Sequence, residues 1–224
     1  MSRYYDFPGD PRKYVSVTTF LDVISKPFLI PWAAKMEREL IQALIDKGAG
    51  INRIQEYIAA KQPYGYDLYS QIARDWGSKI HKAIDYTLKD LKLPKMTKDE
   101  KKVYDKWVEW WESKGYELKG AERVVKSMKY GFAGTLDALV TDHNIVIDWK
   151  TGKGSYPEHE LQNYAYQQAL VEEGIVTGGG LLVYIPKDKD VYTKEVPQVT
   201  ASLLEPALAA LDVWRWQNKK PWRV

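Results

Sequence analysis

The chain has 224 residues, which is long enough for one globular domain, alone or with an appended region. Hydrophobic residues make up 45% and charged residues 28%, a balance that excludes an intrinsically disordered protein. Cysteine is absent, so disulfides, cysteine nucleophiles, zinc–thiolate sites and cysteine-held iron–sulfur clusters are excluded. A net charge of +3 allows a polyanionic partner without requiring one.

Neither a membrane span nor a secretory signal is indicated. No apolar run approaches the roughly eighteen residues of a membrane-spanning helix, and the first residues lack the apolar segment of a signal peptide. We therefore expect a cytoplasmic protein without membrane contact. The chain is rich in aromatic residues, with 9 Trp, 16 Tyr and 4 Phe. Such rings most often fill a core, and base stacking is the alternative.

The first half of the chain is predicted to be helical. Apolar residues recur at helical spacing in four segments, which run from Ser16 to Pro27, Pro31 to Gly48, 51 to Pro63, and Leu68 to Leu88. A capping box formed by Thr97 and Glu100 begins a fifth helix, which ends at Gly115.

The second half changes to the alternation and apolar runs that are typical of strands. Strands are predicted over 121–130, 132–140, 145–150, 179–186 and 191–196, with a helix over 157–173. The remainder of the chain, with Leu204, Leu208, Leu211 and Trp214, is predicted to be helical, and Pro206 leaves the start of this helix open. The run 145–147 is continuously apolar, which indicates a strand buried on both faces.

An acidic motif, Asp148-Trp149-Lys150, ends this buried strand. Residues two apart in a strand point to the same face, so Asp148 and Lys150 project together and Trp149 points away. A turn at 142–144 brings Asp137 of the preceding strand beside Asp148. Neighbouring carboxylates repel each other, and a divalent cation relieves the repulsion, so the pair is a candidate Mg²⁺ or Mn²⁺ site. A surface ion pair between Asp148 and Lys150 is the simpler alternative.

His81 and Glu122 are candidate additions to this site. Gly77 and His81 are one helical turn apart, and His81 lies at the edge of an apolar stripe. A lone histidine there is more often structural, and only the company of Asp137 and Asp148 makes it a candidate ligand. Glu122, on the strand before that of Asp137, is either a further carboxylate of the site or an exposed strand residue.

Two polar features follow the acidic motif. Gln162 and Tyr166 are four residues apart on a helix and share a face, either in water or at the rim of a substrate cleft. Residues 214–223 interleave aromatic and basic side chains, a pattern that suits a nucleic-acid strand or the cationic end of an amphipathic helix. We favour the helix for 214–223.

The ordered set of motifs resembles the PD-(D/E)xK nuclease superfamily, in its RecB-like branch. The motifs are Gly-x-x-x-His ending at His81, Gly-x-x-Asp ending at Asp137, Asp-x-Lys ending at Lys150 and Gln-x-x-x-Tyr ending at Tyr166. More of the chain is similar to the family of the mitochondrial genome maintenance exonuclease and its phage and bacterial relatives. That likeness rests on Ser16-Val17-Thr18, Pro27, Trp32, His81, Glu122, Asp137, Ile147–Thr151, Gln162 and Ala165-Tyr166.

This resemblance implies an α/β, restriction-endonuclease-like fold, in which a mixed central sheet is flanked by helices. It implies a helical N-terminal region over 1–65, an arch or lid packed on the core, and a nuclease core over 66–224 that ends in a helix. Leu136 replaces the proline of the superfamily's name. No cysteines are present to hold the iron–sulfur cluster of some relatives, so we expect packing alone to hold the N-terminal helices.

The resemblance also implies a mechanism. One or two Mg²⁺ or Mn²⁺ ions are held by His81, Asp137, Asp148 and the backbone carbonyl of Trp149. A water positioned by Lys150 attacks the phosphorus in line, while Lys150 and the metal charge stabilise the developing negative charge. Gln162 and Tyr166 orient the strand.

The function that we expect is a metal-dependent exonuclease acting on linear single-stranded DNA, in DNA processing or recombination of a phage or bacterium. A single strand offers its bases to aromatic rings, and the small net charge provides no broad surface for a duplex. One alternative is a structure-specific or restriction-like endonuclease of the same fold. Another is a non-catalytic DNA-binding subunit, against which the intact Asp137, Asp148 and Lys150 argue. No protein partner is indicated.

Overall fold

The structure is a computed structural model that describes residues 3–60, 64–152 and 154–219. Within these ranges, seven strands form one mixed sheet and seven α-helices accompany it. The predicted α/β class with a mixed central sheet is therefore confirmed.

The strands are β1 (Tyr4–Phe7), β2 (Asp10–Ser16), β3 (Leu118–Ser127), β4 (Phe132–Val140), β5 (Val146–Lys150), β6 (Gly180–Tyr184) and β7 (Tyr192–Val196). The helices are α1 (Val17–Leu21), α2 (Leu29–Asp46), α3 (Ile51–Ala59), α4 (Gly65–Leu88), α5 (Lys98–Lys114), α6 (Pro157–Glu172) and α7 (Ala201–Gln217). Each element predicted from Leu68 onward is present, with its ends shifted by a few residues.

Residues 4–16 form a β-hairpin, which was not predicted within the N-terminal region that was expected to be helical. Gly9 takes a φ of 79° in the turn, a conformation that glycine adopts without strain. Tyr14 and Val15 are buried as strand residues, so their apolar side chains fill the sheet and not a helical stripe. The predicted end of the third helix at Pro63 lies outside the described residues.

Contacts divide the chain into two compact units. The sheet unit contains the residues up to 24 and from 79 onward, and the helical unit contains 25–78. The separate helical unit thus covers 25–78, whereas the prediction set a helical N-terminal region at 1–65. Inside the helical unit, Glu37 on α2 accepts hydrogen bonds from the Tyr57 hydroxyl at 2.6 Å and from the Tyr66 N–H at 3.3 Å. These bonds join α2 to α3 and to the start of α4.

The sheet has the order β1-β2-β4-β5-β6-β7, with β3 paired to β4 outside this path. β3 runs antiparallel along all of β4 and occupies one of its edges. On the other edge, β2 pairs in parallel with Phe132 and Ala133, and β5 pairs antiparallel with Ala138 and Leu139. No described strand pairs on that edge with the four residues between, Gly134–Asp137. We call this interval the β4 gap.

The hydrophobic core of the sheet unit lies where α1, α6 and α7 pack on the sheet and on one another. Its fully buried members include Phe20, Phe132, Leu136, Leu170 and Leu182. Each such side chain contributes about 1.5–3 kcal/mol of burial free energy relative to exposure.

α5 has the ends that the sequence predicted. Thr97 Oγ1 accepts from the Glu100 N–H at 3.3 Å, and Glu100 Oε2 accepts from the Thr97 N–H at 2.7 Å. Gly115 ends the helix at a φ of 62°. Glu100 also accepts from Lys79 Nζ at 2.9 Å, which fixes the start of α5 beside α4.

No helix among the described residues combines the length and the apolar character that crossing a membrane requires.

Candidate active site

The site is built around the β4 gap. Asp137 is the last residue of the gap, and the Trp149 N–H of β5 donates to its Oδ2 at 2.7 Å. This side-chain acceptor occupies the place of a backbone carbonyl at the point where β4 and β5 cease to pair. The gap therefore holds the Asp137 carboxylate at the fork between the two strands.

Asp148 and Lys150 project together, as the strand period predicts. Lys150 Nζ lies 2.5 Å from Asp148 Oδ2, and both side chains are largely buried. The ion pair is poorly aligned, however, and Asp148 Oδ2 accepts no hydrogen bond. A buried carboxylate oxygen that is held by an ion pair but accepts no hydrogen bond could bind a divalent cation in place of the lysine.

Gln162 of α6 links three members of the site. Its Oε1 accepts from Lys150 Nζ at 2.9 Å, and its Nε2 donates to the Tyr166 hydroxyl at 2.8 Å and to Asp148 Oδ1 at 3.4 Å. The Gln-x-x-x-Tyr spacing thus places both side chains toward the acidic motif. Tyr166 is buried under Gln162, whereas the sequence interpretation placed it at the rim of a cleft.

The ring of Tyr166 packs directly on the β4 gap. A Cβ at Gly134 would lie 2.4 Å from Tyr166 Cε1, which is closer than real contacts allow. Gly134 is therefore the residue that lets α6 approach β4 at this point. Gly134 and Tyr166, which belong to two different predicted motifs, are therefore in direct contact.

His81 and Glu122 both lie beside Asp137. His81 Nδ1 is 3.4 Å from Asp137 Oδ1, and the imidazole is 30% exposed. Glu122 is exposed on β3, at the register position opposite Asp137. One ligand atom from each of the three residues lies within 4.8 Å of the other two. Glu122 is thus an exposed strand residue that also lies beside Asp137.

The backbone of Glu122 is in the left-handed region, with a φ of 48°. Residues other than glycine adopt this conformation at a cost of about 1–3 kcal/mol, and such strain concentrates at functional sites. Glu122 has this conformation at the position of β3 that lies opposite Asp137 of β4.

The four ionisable groups shift one another's protonation. Burial, together with the charge of Asp137, raises the pKa of Asp148 to about 6, against the opposing effect of Lys150. Burial opposes ionisation of Asp137 as well, but the charge of His81 lowers the pKa of Asp137. In return, and again against burial, Asp137 raises the pKa of His81. Burial and the charge of Asp137 raise the pKa of Glu122.

Trp149 points away from the acidic motif, as predicted. Its ring makes edge contacts with Trp107, Trp110 and Trp111 of α5, with centroids 5.7–6.1 Å apart. This cluster fixes the strand that carries Asp148 and Lys150. The role of the Trp149 carbonyl as a ligand stays a prediction.

Two neighbours of the site were missed by sequence reasoning. Asp85 is one turn after His81 on α4, and its charge contributes to raising the Glu122 pKa. The four-residue spacing from His81 was its available signal. Tyr5 of β1 contacts Thr135 of the β4 gap, with 3.0 Å between the two hydroxyl oxygens. It was missed because no strand was predicted before residue 121.

The remaining predicted features lie elsewhere. Residues 220–223 of the aromatic and basic C-terminal stretch are outside the described residues. Of the rest, Trp214 and Arg215 are buried, and Arg215 donates to the Tyr130 carbonyl at 2.5 Å. Their packing agrees with the helical interpretation of this stretch.

The residues present fit a divalent cation. His81, Glu122 and Asp137 offer one nitrogen and two carboxylates in close reach, and the buried Asp148 Oδ2 accepts no hydrogen bond. Oxygen-rich sites of this kind suit Mg²⁺ or Mn²⁺. Glu122, the possible additional ligand of the prediction, is thus within reach of a cation beside Asp137, while Asp148 is paired with Lys150.

Comparison with solved structures finds similarities at low identity, among them two proteins described as exonucleases. The chain is 9% identical to the alkaline exonuclease LHK-Exo from Laribacter hongkongensis, with a TM-score of 0.41 over 72% of this chain and 83% of that one. It is 10% identical to a candidate exonuclease from Eubacterium rectale, with a TM-score of 0.42 over 77% and 74%. For the protein SSO0001 the identity is 21% and the TM-score 0.32, over 42% of this chain. The match spans about half, 50%, of SSO0001.

A search of curated protein sequences finds no match. The sequence profile of the PD-(D/E)XK nuclease superfamily matches residues 81–218, which is more than half of the chain and includes every predicted motif from His81 to Tyr166. The chain belongs to the PD-(D/E)XK nuclease superfamily.

Proposed function

We propose that this protein is a divalent-metal-dependent DNA exonuclease that degrades linear single strands, in DNA processing of a phage or bacterium. The observation that carries the proposal is the group of carboxylates at the β4 gap, beside a buried lysine. Asp137 and Glu122 face His81, and Asp148 is paired with Lys150. Phosphodiester hydrolysis needs such acidic ligands together with a fixed positive charge.

Four residues would hold the cation in this proposal. They are His81, Glu122, Asp137 and, through its oxygen without a hydrogen bond, Asp148. A divalent cation bound there supplies charge neutralisation at the phosphate and a water of lowered pKa. Burial and, after it, the charge of Asp137 raise the pKa of Asp148, and a cation held there would offset both effects.

Lys150 acts as the fixed positive charge. Gln162 Oε1 accepts a hydrogen bond from the Lys150 ammonium group at 2.9 Å. This bond keeps Lys150 oriented if the Asp148 carboxylate leaves it to bind a metal ion. From this position Lys150 orients the attacking water and stabilises the charge that develops on the phosphate. Gln162 and Tyr166 are positioning residues in this scheme, because Tyr166 is buried and bonded to Gln162.

The preference for single strands and the role of the helical unit belong to the same proposal. The helical unit carries Trp32 and a stacked pair, Tyr64 and Tyr66, with ring centroids 5.7 Å apart. Aromatic rings stack on the exposed bases of a single strand, at about 1–3 kcal/mol per base. We assign the helical unit, 25–78, as the lid that the sequence placed at 1–65.

Labelled linear single strand, linear duplex and circular single strand separate the candidate functions. With Mg²⁺ or Mn²⁺ we expect the linear single strand to be degraded from an end, with blunt duplex a poor substrate and the circle intact. Chelation of the metal should abolish degradation, as should Asp137→Asn. Cleavage of the circle would establish an endonuclease. Binding without any metal-dependent release of nucleotides would establish a non-catalytic subunit.

A further inference from the structure

A strip of lysines on the exposed face of α5 is not part of the site described above. Lys98, Lys102 and Lys106 are four residues apart, so they share one face at steps of about 6 Å. With Lys101, Asp105 and Glu109 they line a groove of about 450 Å³. Asp105 is held by Lys101 at 2.6 Å, so one of the two acids is already paired. We call this feature the α5 groove.

The electrostatics of the α5 groove are unfavourable for an ordinary solvated helix face. Lys98 and Lys102 are like charges at i,i+4, as are Lys102 and Lys106, and such pairs destabilise a helix. Lys98, Lys101 and Lys102 also occupy the first turns of α5, the positive pole of the helix, where anions are favoured. Within the described chain, no acidic side chain pairs with Lys98 or Lys102. An anion at this face would relieve both effects.

Two chains of contacts place the groove beside the active site. On one side, Glu100 in the first turn of α5 binds Lys79, which is two residues before His81. On the other side, the Ile185 N–H donates to the Lys150 carbonyl at 2.8 Å. Four residues later, the Lys189 carbonyl accepts from Lys106 Nζ at 2.6 Å. Four residues span at most about 14 Å, so Lys106 lies close to the Lys150 end of the sheet.

We propose that the α5 groove binds the phosphate backbone of the substrate strand outside the active site. The inference rests on the proposed nuclease function and adds a path for the strand, along α5 from the Lys150 end of the sheet. The lysines recognise phosphates and not bases, because an ammonium group is a point charge without the geometry to read base edges. The net charge of the chain is only +3, so this local strip is what supplies the phosphate contacts.

The test compares binding of a single-stranded oligonucleotide across salt concentrations, in Ca²⁺ to suppress cleavage. The variant is Lys98→Gln combined with Lys102→Gln. Each lost phosphate contact on a single strand lowers the slope of log affinity against log salt by about 0.7, so the double variant should lose about 1.4. Its affinity should be weaker at low salt and approach that of the wild type at high salt, while kcat at saturating substrate stays unchanged.

A matched control and a charge-retaining variant accompany it. Lys119 is an exposed lysine on β3, which donates to Asn144 near the start of β5, away from the Lys150 end. Lys119→Gln should leave the slope unchanged, and Lys98→Arg with Lys102→Arg should retain it. An equal slope for the wild type and the glutamine double variant, or an equal loss in Lys119→Gln, would overturn the inference. If the wild type releases no nucleotides with Mg²⁺ or Mn²⁺, the proposed nuclease function itself is refuted.

Discussion

The N–H of Trp149 donates to the carboxylate of Asp137 across the fork between β4 and β5, at 2.7 Å. One carboxylate oxygen thus completes the strand pairing that the β4 gap interrupts, and the other faces His81 at 3.4 Å. Asp137 therefore has a structural role beside the chemical role that we propose for it, and the two can be separated by substitution.

Asp137→Ala and Asp137→Asn should both be inactive, but they should differ in stability. Both remove the charge, so relief of repulsion is the same in each. Only the alanine leaves the buried Trp149 N–H without an acceptor, at a cost of about 1–3 kcal/mol. Urea unfolding without metal measures this difference. If the two variants unfold at the same urea concentration, Asp137 does not satisfy the Trp149 N–H.

Gly134→Ala should lower both stability and activity. The new Cβ would lie 2.4 Å from the Tyr166 ring, which Gln162 holds through the hydroxyl at 2.8 Å. Overpacking of this kind costs about 1–3 kcal/mol. Gly120→Ala is the matched control, because no atom lies within 4 Å of a Cβ at Gly120 on the neighbouring β3. The measurements are the thermal unfolding temperature and kcat of the two variants. Equal values for both variants would show that Gly134 is not in close contact with Tyr166.

Without metal, the free energy of unfolding of the wild type should fall as pH rises from about 4 to 6, relative to that of the Asp148→Asn variant. The folded protein holds the pKa of Asp148 at about 6, above the ordinary 3.8. A raised pKa favours the protonated form, so the stabilising contribution is present below 3.8 and lost as pH rises through 6. The full change is about 3 kcal/mol, from 1.36 kcal/mol per pKa unit. Unfolding of both proteins across this range measures it, and a constant difference would refute the shift.

His81→Asn should reduce the thermal stabilisation that Mn²⁺ gives to the protein, because it removes the one imidazole ligand of the cluster. His143→Asn is the suitable control. The His143 side chain is 81% exposed, and asparagine tolerates its φ of 44°. His159 is unsuitable, because its Nδ1 lies 3.2 Å from the Tyr184 hydroxyl. An equal Mn²⁺ response in both variants would return His81 to a structural role.

Much of the fold was predictable because its signals are local. The capping box of Thr97 and Glu100 and the C-terminal Gly115 mark α5 in the sequence, and the structure confirms both. The apolar run before Asp148 likewise marks β5. The hairpin over 4–16 was missed because its strands are short, and because β2 joins the sheet only through β4, more than a hundred residues away. Pairing at that distance leaves no local pattern to read.

The motifs, their order and the faces that they share were predictable, because strand and helix periods fix which residues project together. These periods place Asp148 with Lys150, and Gln162 with Tyr166. The proximity of Glu122 to Asp137 and the burial of Tyr166 against Gly134 were established by the folded structure. These contacts depend on β3 pairing with β4 and on α6 packing across the β4 gap. Such packing joins residues whose separation in the chain carries no periodic signal.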